Sequence, residues 1–409
     1  MTAYYQSRET RSADAREAEL FARLPAQAAH AKAQAPHFAR LLDGIDPTAL
    51  SDRAALARLP VTRKSDLIDL QRAELPFGGL NATPLSELSR VFASPGPIHD
   101  PEGKGRDWWR LARALWAAGI RPGDLVHNCF SYHFTPGGVM FETAAHALGC
   151  PVFPAGVGNT ELQARAVADL GPAAYAGTPS FLRIILEKAE ELGLPHHTLA
   201  KACVSGEALP PALRQTLKTL GVDVLQAYAT ADLGLIAYEG AADGGLVVDE
   251  DAIVEIVRPG TDDPVAAGEV GEVVVTTFNA DYPLLRFGTG DLSAVLTGTS
   301  PCGRTNMRLK GWLGRADQTT KIKGMFVHPR QVNDVAKRFA AVTRAKLVVE
   351  KDGDADVMTL HVETAEHSES LAAALREALQ SVCKLRGNIA FHAPGALPND
   401  GKVIEDKRT

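Results

Sequence analysis

The segment Leu313–Gln331 reads Leu-Gly-Arg-Ala-Asp-Gln-Thr-Thr-Lys-Ile-Lys-Gly-Met-Phe-Val-His-Pro-Arg-Gln and is the most informative part of this chain. A Gly-Arg-x-Asp turn leads into a short alternating strand that carries Lys321 and Lys323 on one face. Gly324 then breaks the strand, and a His-Pro pair opens a helix. This order predicts a hinge between two domains. An ordinary turn, strand and helix with solvent-exposed lysines would give the same pattern.

The sequence on either side of this hinge predicts two domains of different character. Before it, helices over Ala13–Leu42 and Ser180–Leu192 alternate with short apolar stretches, which is typical of α/β layers. Between Ala252 and Leu296 apolar and polar residues alternate singly, which predicts a β-rich subdomain. After the hinge, a small α+β domain is predicted from the helices and strands Val332–Phe339, Lys346–Glu350, Val357–Val362, Ser368–Leu385 and Asn388–Phe391. The fold class is therefore α/β, with a large N-terminal domain over residues 1–316 and a small mobile C-terminal domain over residues 317–409.

The composition predicts a cytoplasmic protein without nucleic-acid or membrane partners. The chain has 409 residues, 45% of them hydrophobic, and a formal net charge of -6, so it offers no basic surface for nucleic acid or an anionic membrane. Its five cysteines are dispersed and odd in number, which favours a reducing compartment over a disulfide framework. No run of roughly 20 apolar residues could cross a membrane. The polar N-terminus does not resemble a signal peptide.

Several short motifs follow one another along the chain in a fixed order. They are Val204-Ser205-Gly206-Glu207 at a strand-to-helix turn, Gln226-Ala227-Tyr228-Ala229-Thr230-Ala231-Asp232, Arg286-Phe287-Gly288-Thr289-Gly290-Asp291, the hinge itself, and Pro398-Asn399-Asp400-Gly401-Lys402. In this order they resemble the phenylacetate-CoA ligase family of the adenylate-forming (acyl-CoA synthetase/luciferase-like) superfamily. The resemblance runs over nearly the whole chain. Each motif alone is weak evidence, but the ordered set identifies the family.

The resemblance implies a nucleotide site. The turn Ser205-Gly206-Glu207 and the ring of Tyr228 would hold adenine, since a flat base suits an aromatic face and a close backbone approach. Asp291 would accept hydrogen bonds from the two ribose hydroxyls. Arg315 would bind phosphate or ribose oxygens with its forked guanidinium group. Taken singly, Asp291 could equally be a turn carboxylate and Tyr228 a core aromatic residue.

The resemblance also implies the catalytic residues Lys402, Asp317 and Arg315. Lys402 matches the family lysine that reaches between the substrate carboxylate and the α-phosphate of ATP, where a cation offsets the repulsion between two anions. A solvated lysine near the end of the chain is the simpler alternative. Asp317 matches the pivot about which the small domain turns between the two half-reactions.

An aromatic stretch followed by two glycines matches the acid-binding segment of the family. The residues concerned are Phe130, Tyr132, Phe134, Gly137 and Gly138. An aromatic-lined pocket suits an aryl or arylacetic acid, although core packing explains the same residues nearly as well.

The chain departs from the family at the phosphate loop. Where relatives carry Ser-Ser-Gly-Thr-Thr-Gly-Lys-Pro, this chain reads Ser94-Pro-Gly-Pro-Ile-His-Asp100-Pro101. Prolines remove backbone donors, and Asp100 is expected to place a negative charge where a phosphate would approach. Asp232, one methylene shorter than the family's glutamate, is the candidate magnesium ligand. Cys302 stands where some relatives have a Cys-x-Cys-Gly run, which predicts no zinc.

Two functions follow from these observations. The first is an ATP-dependent, AMP-forming acid–CoA ligase acting on an aromatic or related small carboxylic acid through an acyl-adenylate, with ATP, magnesium and coenzyme A as cofactors or co-substrates. The second is a catalytically impaired relative that binds a nucleotide, an acyl-adenylate or a CoA ester as a binding or regulatory protein. The catalytic motifs favour the enzyme and the phosphate loop favours the binding protein. The sequence leaves a homodimer open.

Overall fold

The computed structural model describes residues 4–94, 97–258, 261–316, 318, 320–323, 325–327, 329–353, 355–398 and 402–408. The chain divides into two compact units. The first holds the residues up to Thr289 together with Ser293–Trp312, and the second holds Gly290–Leu292 and the residues from Leu313 onward. The predicted boundary between residues 316 and 317 lies just inside the second unit. That the second unit is mobile stays a prediction.

The first unit begins with helices, as predicted. Ser12 caps the first helix by accepting a hydrogen bond from the Ala15 amide at 3.2 Å. The chain turns at Ala35, and Pro36 takes the first position of a second helix, where its missing N–H costs nothing. The helices of this unit are Ala13–Gln34, Pro36–Leu41, Arg53–Leu56, Leu67–Ala73, Ala112–Ala117, Gly137–Leu148, Thr160–Leu170, Pro179–Glu191 and Pro211–Thr219, with 3-10 turns at Ser7–Thr10, Pro47–Ala49, Lys64–Asp66 and Leu85–Glu87.

A nine-stranded sheet forms the centre of the first unit. One half is parallel and alternates with helices, which confirms the predicted α/β layers. The other half is antiparallel. In spatial order the strands are Val295–Leu296, Arg308–Leu309, Leu246–Val248, Gly234–Glu239, Asp223–Thr230, Lys201–Val204, Ala174–Gly177, Val126–Asn128 and Val152–Phe153. Ligands of such sheets bind beyond the carboxyl ends of the parallel strands, and the turn after Val204 leaves from that edge.

The predicted β-rich subdomain is a second sheet. Its strands are Ala252–Val257, Gly271–Thr277, Phe287–Ser293, Thr62–Arg63 and Gly314–Arg315. The first two are buried along their whole length, so both faces of the sheet are covered. Arg286 is fully buried beside this sheet and pairs with Glu255 at 3.0 Å, which compensates a charge that burial would otherwise penalise.

A two-stranded hairpin, the phosphate hairpin, stands in the place of the family's phosphate loop. It pairs Arg90–Ser94 with Ile98–Glu102. The side chain of Gln71 fastens it to the neighbouring helix, since Nε2 donates to the His99 carbonyl at 2.9 Å and Oε1 accepts from the His99 amide at 2.8 Å. Pro95 and Gly96, at its tip, lie outside the described residues.

The second unit has the predicted α+β order. Its four-stranded sheet runs Asn388–His392, Ala355–Glu363, Arg344–Asp352 and Ile404–Asp406, its helices are Pro329–Ala336 and Glu369–Cys383, and its hairpin pairs Thr320–Ile322 with Met325–Val327. Apolar residues of the hairpin, both helices and the sheet share one core. Gly324 and His328, which predict the strand break and the helix start, lie outside the described residues. In the described parts of both units, every helix is too short or too polar to span a bilayer.

Candidate active site

The predicted adenine turn, Ser205 to Glu207, follows a buried strand of the central sheet. The Ser205 amide donates to the Gly177 carbonyl at 3.1 Å, which anchors the turn to the neighbouring strand. Gly206 has a φ of 79°, a left-handed conformation that favours glycine. Glu207 is exposed, and its Oε2 accepts a hydrogen bond from Ser180 Oγ at 2.6 Å. The turn therefore offers open backbone and an anchored carboxylate at the surface.

Tyr228 is joined to a second nucleotide motif through its hydroxyl. That hydroxyl donates to Thr289 Oγ1 at 3.2 Å, and Thr289 donates in turn to the Val273 carbonyl at 2.9 Å. Thr289 is the threonine of the Gly-Thr-Gly-Asp motif. The position of the half-buried Tyr228 ring is thus fixed by a polar contact at its tip.

Asp291 and Arg315 lie opposite each other on paired strands. Arg315 Nη1 donates to Asp291 Oδ1 at 3.0 Å, and both side chains keep some exposed surface. The family resemblance implies separate contacts of these two residues with a nucleotide, and the structure adds a bond between them. A nucleotide that binds to both side chains would therefore have to accommodate the hydrogen bond between Asp291 and Arg315.

Lys402 is exposed and precedes the strand Ile404–Asp406. Gln318 Oε1 accepts a hydrogen bond from the Ile404 amide at 2.9 Å. Gln318 has a φ of 55°, which is costly for a residue other than glycine. It directly follows Asp317, which lies outside the described residues. The segment after the predicted catalytic lysine is thus fastened to the neighbour of the predicted pivot.

The predicted acid pocket contains two fixed aromatic rings. The Phe130 ring stacks on Phe141 with centroids 4.5 Å apart. The Tyr132 hydroxyl donates to Glu142 Oε2 at 2.7 Å and accepts from Asn128 Nδ2 at 2.8 Å. Burial, and then Glu142, raise the pKa of the Tyr132 phenol, so the hydroxyl remains a donor. Asn128 and Glu142, which the sequence prediction lacks, hold this ring in place.

The two glycines bring a helix start against these aromatic residues. A Cβ atom on Gly137 would lie 3.4 Å from Phe130 Cβ, which is an ordinary contact. A Cβ atom on Gly138 would lie 2.8 Å from both the Tyr132 ring and the Ser131 carbonyl oxygen. Such a distance leaves no room for a side chain, so Gly138 permits a close approach that Tyr132 needs.

Phe134 is placed differently from the other two predicted aromatic residues. Its side chain is 82% exposed and its φ is 61°. Its carbonyl accepts a hydrogen bond from the Ala93 amide at 2.8 Å, which ties the loop to the phosphate hairpin. In this structure Phe134 faces solvent, and its contact with the acid stays a prediction.

The predicted adenine turn and the predicted acid pocket meet at Gly206. A Cβ atom there would lie 3.7 Å from both the Phe130 ring and the Thr178 methyl group. An acyl-adenylate carries its acyl group and its nucleoside on one phosphate, so the two binding regions must adjoin. The short distance between Gly206 and the Phe130 ring brings the two predicted regions together.

The expectation that Asp100 places a charge toward the phosphates is wrong. Its side chain has no exposed surface and lies in the interior of the first unit near Asp232. Burial, and then the charge of Asp232, hold the pKa of Asp100 well above its usual range. Asp100 therefore contributes no exposed charge to the phosphate hairpin.

Asp232, the candidate magnesium ligand, is buried and accepts a hydrogen bond through Oδ2 from the ammonium group of Lys64. Magnesium keeps several waters and takes octahedral oxygen ligands at roughly 2.0–2.1 Å. An enclosed carboxylate that already contacts a cation does not fit this requirement. No group of three or more His, Cys, Asp or Glu side chains within the described ranges is arranged to hold a metal. Lys64 is not among the site residues predicted from the sequence.

Comparisons with known proteins give the family of this chain. Residues 106–279 match the family model "AMP-binding enzyme". The chain is 33% identical over 362 residues to the phenylacetate-coenzyme A ligase of Thermus thermophilus, covering 84% of this chain and 80% of the relative. It is 30% identical to the phenylacetate-coenzyme A ligase of Escherichia coli, covering 97% of this chain and 95% of the relative.

Solved structures of CoA ligases are also similar to this chain. A 2-hydroxyisobutyryl-CoA ligase in complex with 2-HIB-AMP and CoA superposes with a TM-score of 0.81 at 26% identity, covering 100% of this chain and 93% of the other. The o-succinylbenzoate CoA synthetase of Bacillus subtilis, at 15% identity and a TM-score of 0.55, covers 78% of this chain and 69% of its own and shares the fold alone. These relatives give no support to a non-catalysing binding protein. The chain belongs to the phenylacetate-CoA ligase family and is an AMP-forming acid–CoA ligase.

Proposed function

We propose that the protein activates an aromatic or arylacetic acid with ATP and transfers the acyl group to coenzyme A. The observation that supports this proposal most strongly is the proximity of the adenine turn, at Gly206, to Phe130 of the predicted acid pocket. Phe130 and Phe141 are stacked and the Tyr132 ring is held by its hydroxyl. Flat apolar faces of this kind pack well against an aromatic substrate.

In the first half-reaction the carboxylate of the acid attacks the α-phosphorus of ATP, and pyrophosphate leaves. Tyr228 and the adenine turn hold the base, Asp291 accepts from the ribose hydroxyls, and Arg315 binds phosphate or ribose oxygens. Lys402 offsets the negative charge that builds on the phosphorus oxygens during attack. Magnesium would accompany ATP and would offset the negative charge of its phosphates.

In the second half-reaction the thiol of coenzyme A attacks the acyl carbon, and AMP leaves with the phosphate oxygen. Lys402 is needed only in the first half-reaction. Rotation about Asp317 would withdraw Lys402 and admit the thiol. Homodimer formation is not required by any of these steps.

Pyrophosphate release with a panel of acids tests the acid class. Phenylacetate, benzoate and 2-hydroxyisobutyrate are compared at saturating ATP, with and without coenzyme A. An aryl acid should exceed 2-hydroxyisobutyrate in kcat/KM by about tenfold or more, since burying a ring adds at least about 1.4 kcal/mol of binding free energy. The structural neighbour is named as a ligase of 2-hydroxyisobutyrate. A preference for that acid would overturn the aromatic assignment.

A further inference from the structure

Lys64, Asp100, Asp232 and Tyr282 form a charge cluster in the first unit, in which the Lys64 side chain is 22% exposed and the other three are buried. They come from the 3-10 turn before a helix, the phosphate hairpin, the turn after the Tyr228 strand, and a loop between two strands of the second sheet. The side chains of the two acids and the tyrosine are almost fully enclosed, with residue exposures of 0% for Asp100, 3% for Asp232 and 1% for Tyr282. Acids buried to this degree need a cation or a proton as a partner.

Lys64 is the cation of this cluster, because its ammonium group donates to Asp232 Oδ2. The other oxygen of Asp232, both oxygens of Asp100 and the Tyr282 hydroxyl are buried, and no well-formed hydrogen bond reaches them from the described residues. Asp232, Lys64 and Ser94 are polar neighbours of Asp100. Burial raises the pKa of Asp100, so this acid can hold a proton, and the ammonium group of Lys64 is the charge that compensates Asp232.

We propose that Lys64 takes the cation position at Asp232, so that Asp232 binds an ammonium group inside the fold and not a magnesium ion at the nucleotide. The ammonium group is tethered to the same chain, whereas magnesium sheds its waters reluctantly and demands octahedral oxygen ligands. Breaking a buried ion pair leaves an uncompensated charge. The inference depends on the proposed function only for the ATP reaction in which the magnesium requirement is measured.

The experiment compares the wild type with Lys64→Met, Asp232→Asn and the double variant. Tm is measured without nucleotide, and the magnesium concentration for half-maximal pyrophosphate release is measured at fixed ATP. Each single variant should lower Tm by about 5–10 °C, and the double variant should melt no lower than the less stable single variant. The magnesium requirement of Asp232→Asn should stay within about threefold of the wild type. Asp69→Asn is the matched control, because this acid is 86% exposed and should change neither quantity.

A larger increase in the magnesium requirement of Asp232→Asn would overturn the inference, and so would an unchanged Tm in both single variants. If Asp232→Asn does not fold while the double variant does, the pairing with Lys64 is supported by that difference alone. A wild type that releases no acid-dependent pyrophosphate would contradict the proposed function instead, and the Tm comparison would still test the cluster.

Discussion

Gly138 shows how a single residue sets the shape of the predicted acid pocket. The Gly138→Ala substitution places a Cβ atom 2.8 Å from both the Tyr132 ring and the Ser131 carbonyl oxygen, so the ring and the backbone beside it must shift. We expect KM for the acid to rise by about tenfold, because a displaced ring forfeits roughly 1–2 kcal/mol of contact. KM for ATP should stay unchanged. Steady-state kinetics with each substrate varied in turn gives both values.

Gly137→Ala is the matched control for that experiment. The same methyl group is added one position earlier, where it would meet Phe130 Cβ at 3.4 Å. Its KM for the acid should remain within about twofold of the wild type. Equal effects of the two substitutions would show that the Tyr132 contact does not shape the acid site.

Lys402 should act in only one of the two half-reactions. Lys402→Ala should slow adenylate formation by roughly a hundredfold or more, as expected for the loss of a charge-stabilising group. Thioester formation from a supplied acyl-adenylate should be largely intact. Rapid-quench measurement of each half-reaction separates the two rates. Lys407→Ala is the control. The Lys407 side chain is half exposed, and its Nζ atom lies 4.0 Å from Glu350 Oε1, which is a weak ion pair. Its loss should therefore change neither rate. Equal loss of both rates in Lys402→Ala would remove the assigned role.

The phosphate hairpin should make the protein bind AMP at least as well as ATP. The family's phosphate loop rewards the β- and γ-phosphates with backbone N–H groups and a lysine, whereas this hairpin carries prolines at positions 95 and 97 and no lysine between Ser94 and Pro101. Calorimetry should give a Kd for AMP equal to or lower than that for ATP. Affinity for ATP about tenfold above that for AMP would show a working phosphate cradle in the hairpin.

Elements with strong periodic patterns are predictable from the sequence. The strand predicted at Lys346–Glu350 is Arg344–Asp352, and the helix predicted at Ser368–Leu385 is Glu369–Cys383. Their apolar spacing is local, so it can be read along the chain. The region predicted as helical over Ala13–Leu42 contains two helices, because Pro36 begins a new one.

The charge arrangement of the site cannot be predicted in the same way. Lys64 and Asp232 are 168 residues apart in sequence, and no local pattern announces their ion pair. The sequence predicts an exposed loop at Asp100, but this residue lies in the strand Ile98–Glu102 opposite Phe92, and the pleat turns it inward. Contacts between distant parts of the chain therefore decide whether Asp100 and Asp232 are accessible to a ligand.

We expect the predicted pivot at Asp317 to couple the two half-reactions in the whole molecule. Asp317→Pro fixes φ at this position and should slow thioester formation by roughly tenfold or more while adenylate formation persists. Asp317→Ala removes the carboxylate but leaves the backbone free, so it should have the smaller effect. The two half-reactions are measured as for Lys402. Equal effects of Pro and Ala would assign the effect to the carboxylate, and loss of both half-reactions together would contradict the pivot.

A single-turnover experiment with α-labelled ATP tests the two-step ligase reaction most directly. The protein is mixed with ATP and an aryl acid, the products are separated, and coenzyme A is then added. Before coenzyme A is added, the label should appear in an acyl-adenylate with an equal amount of pyrophosphate. After the addition, the label should leave as AMP while one thioester forms for each AMP. Formation of ADP, or an adenylate yield that does not depend on the acid, would contradict the assignment.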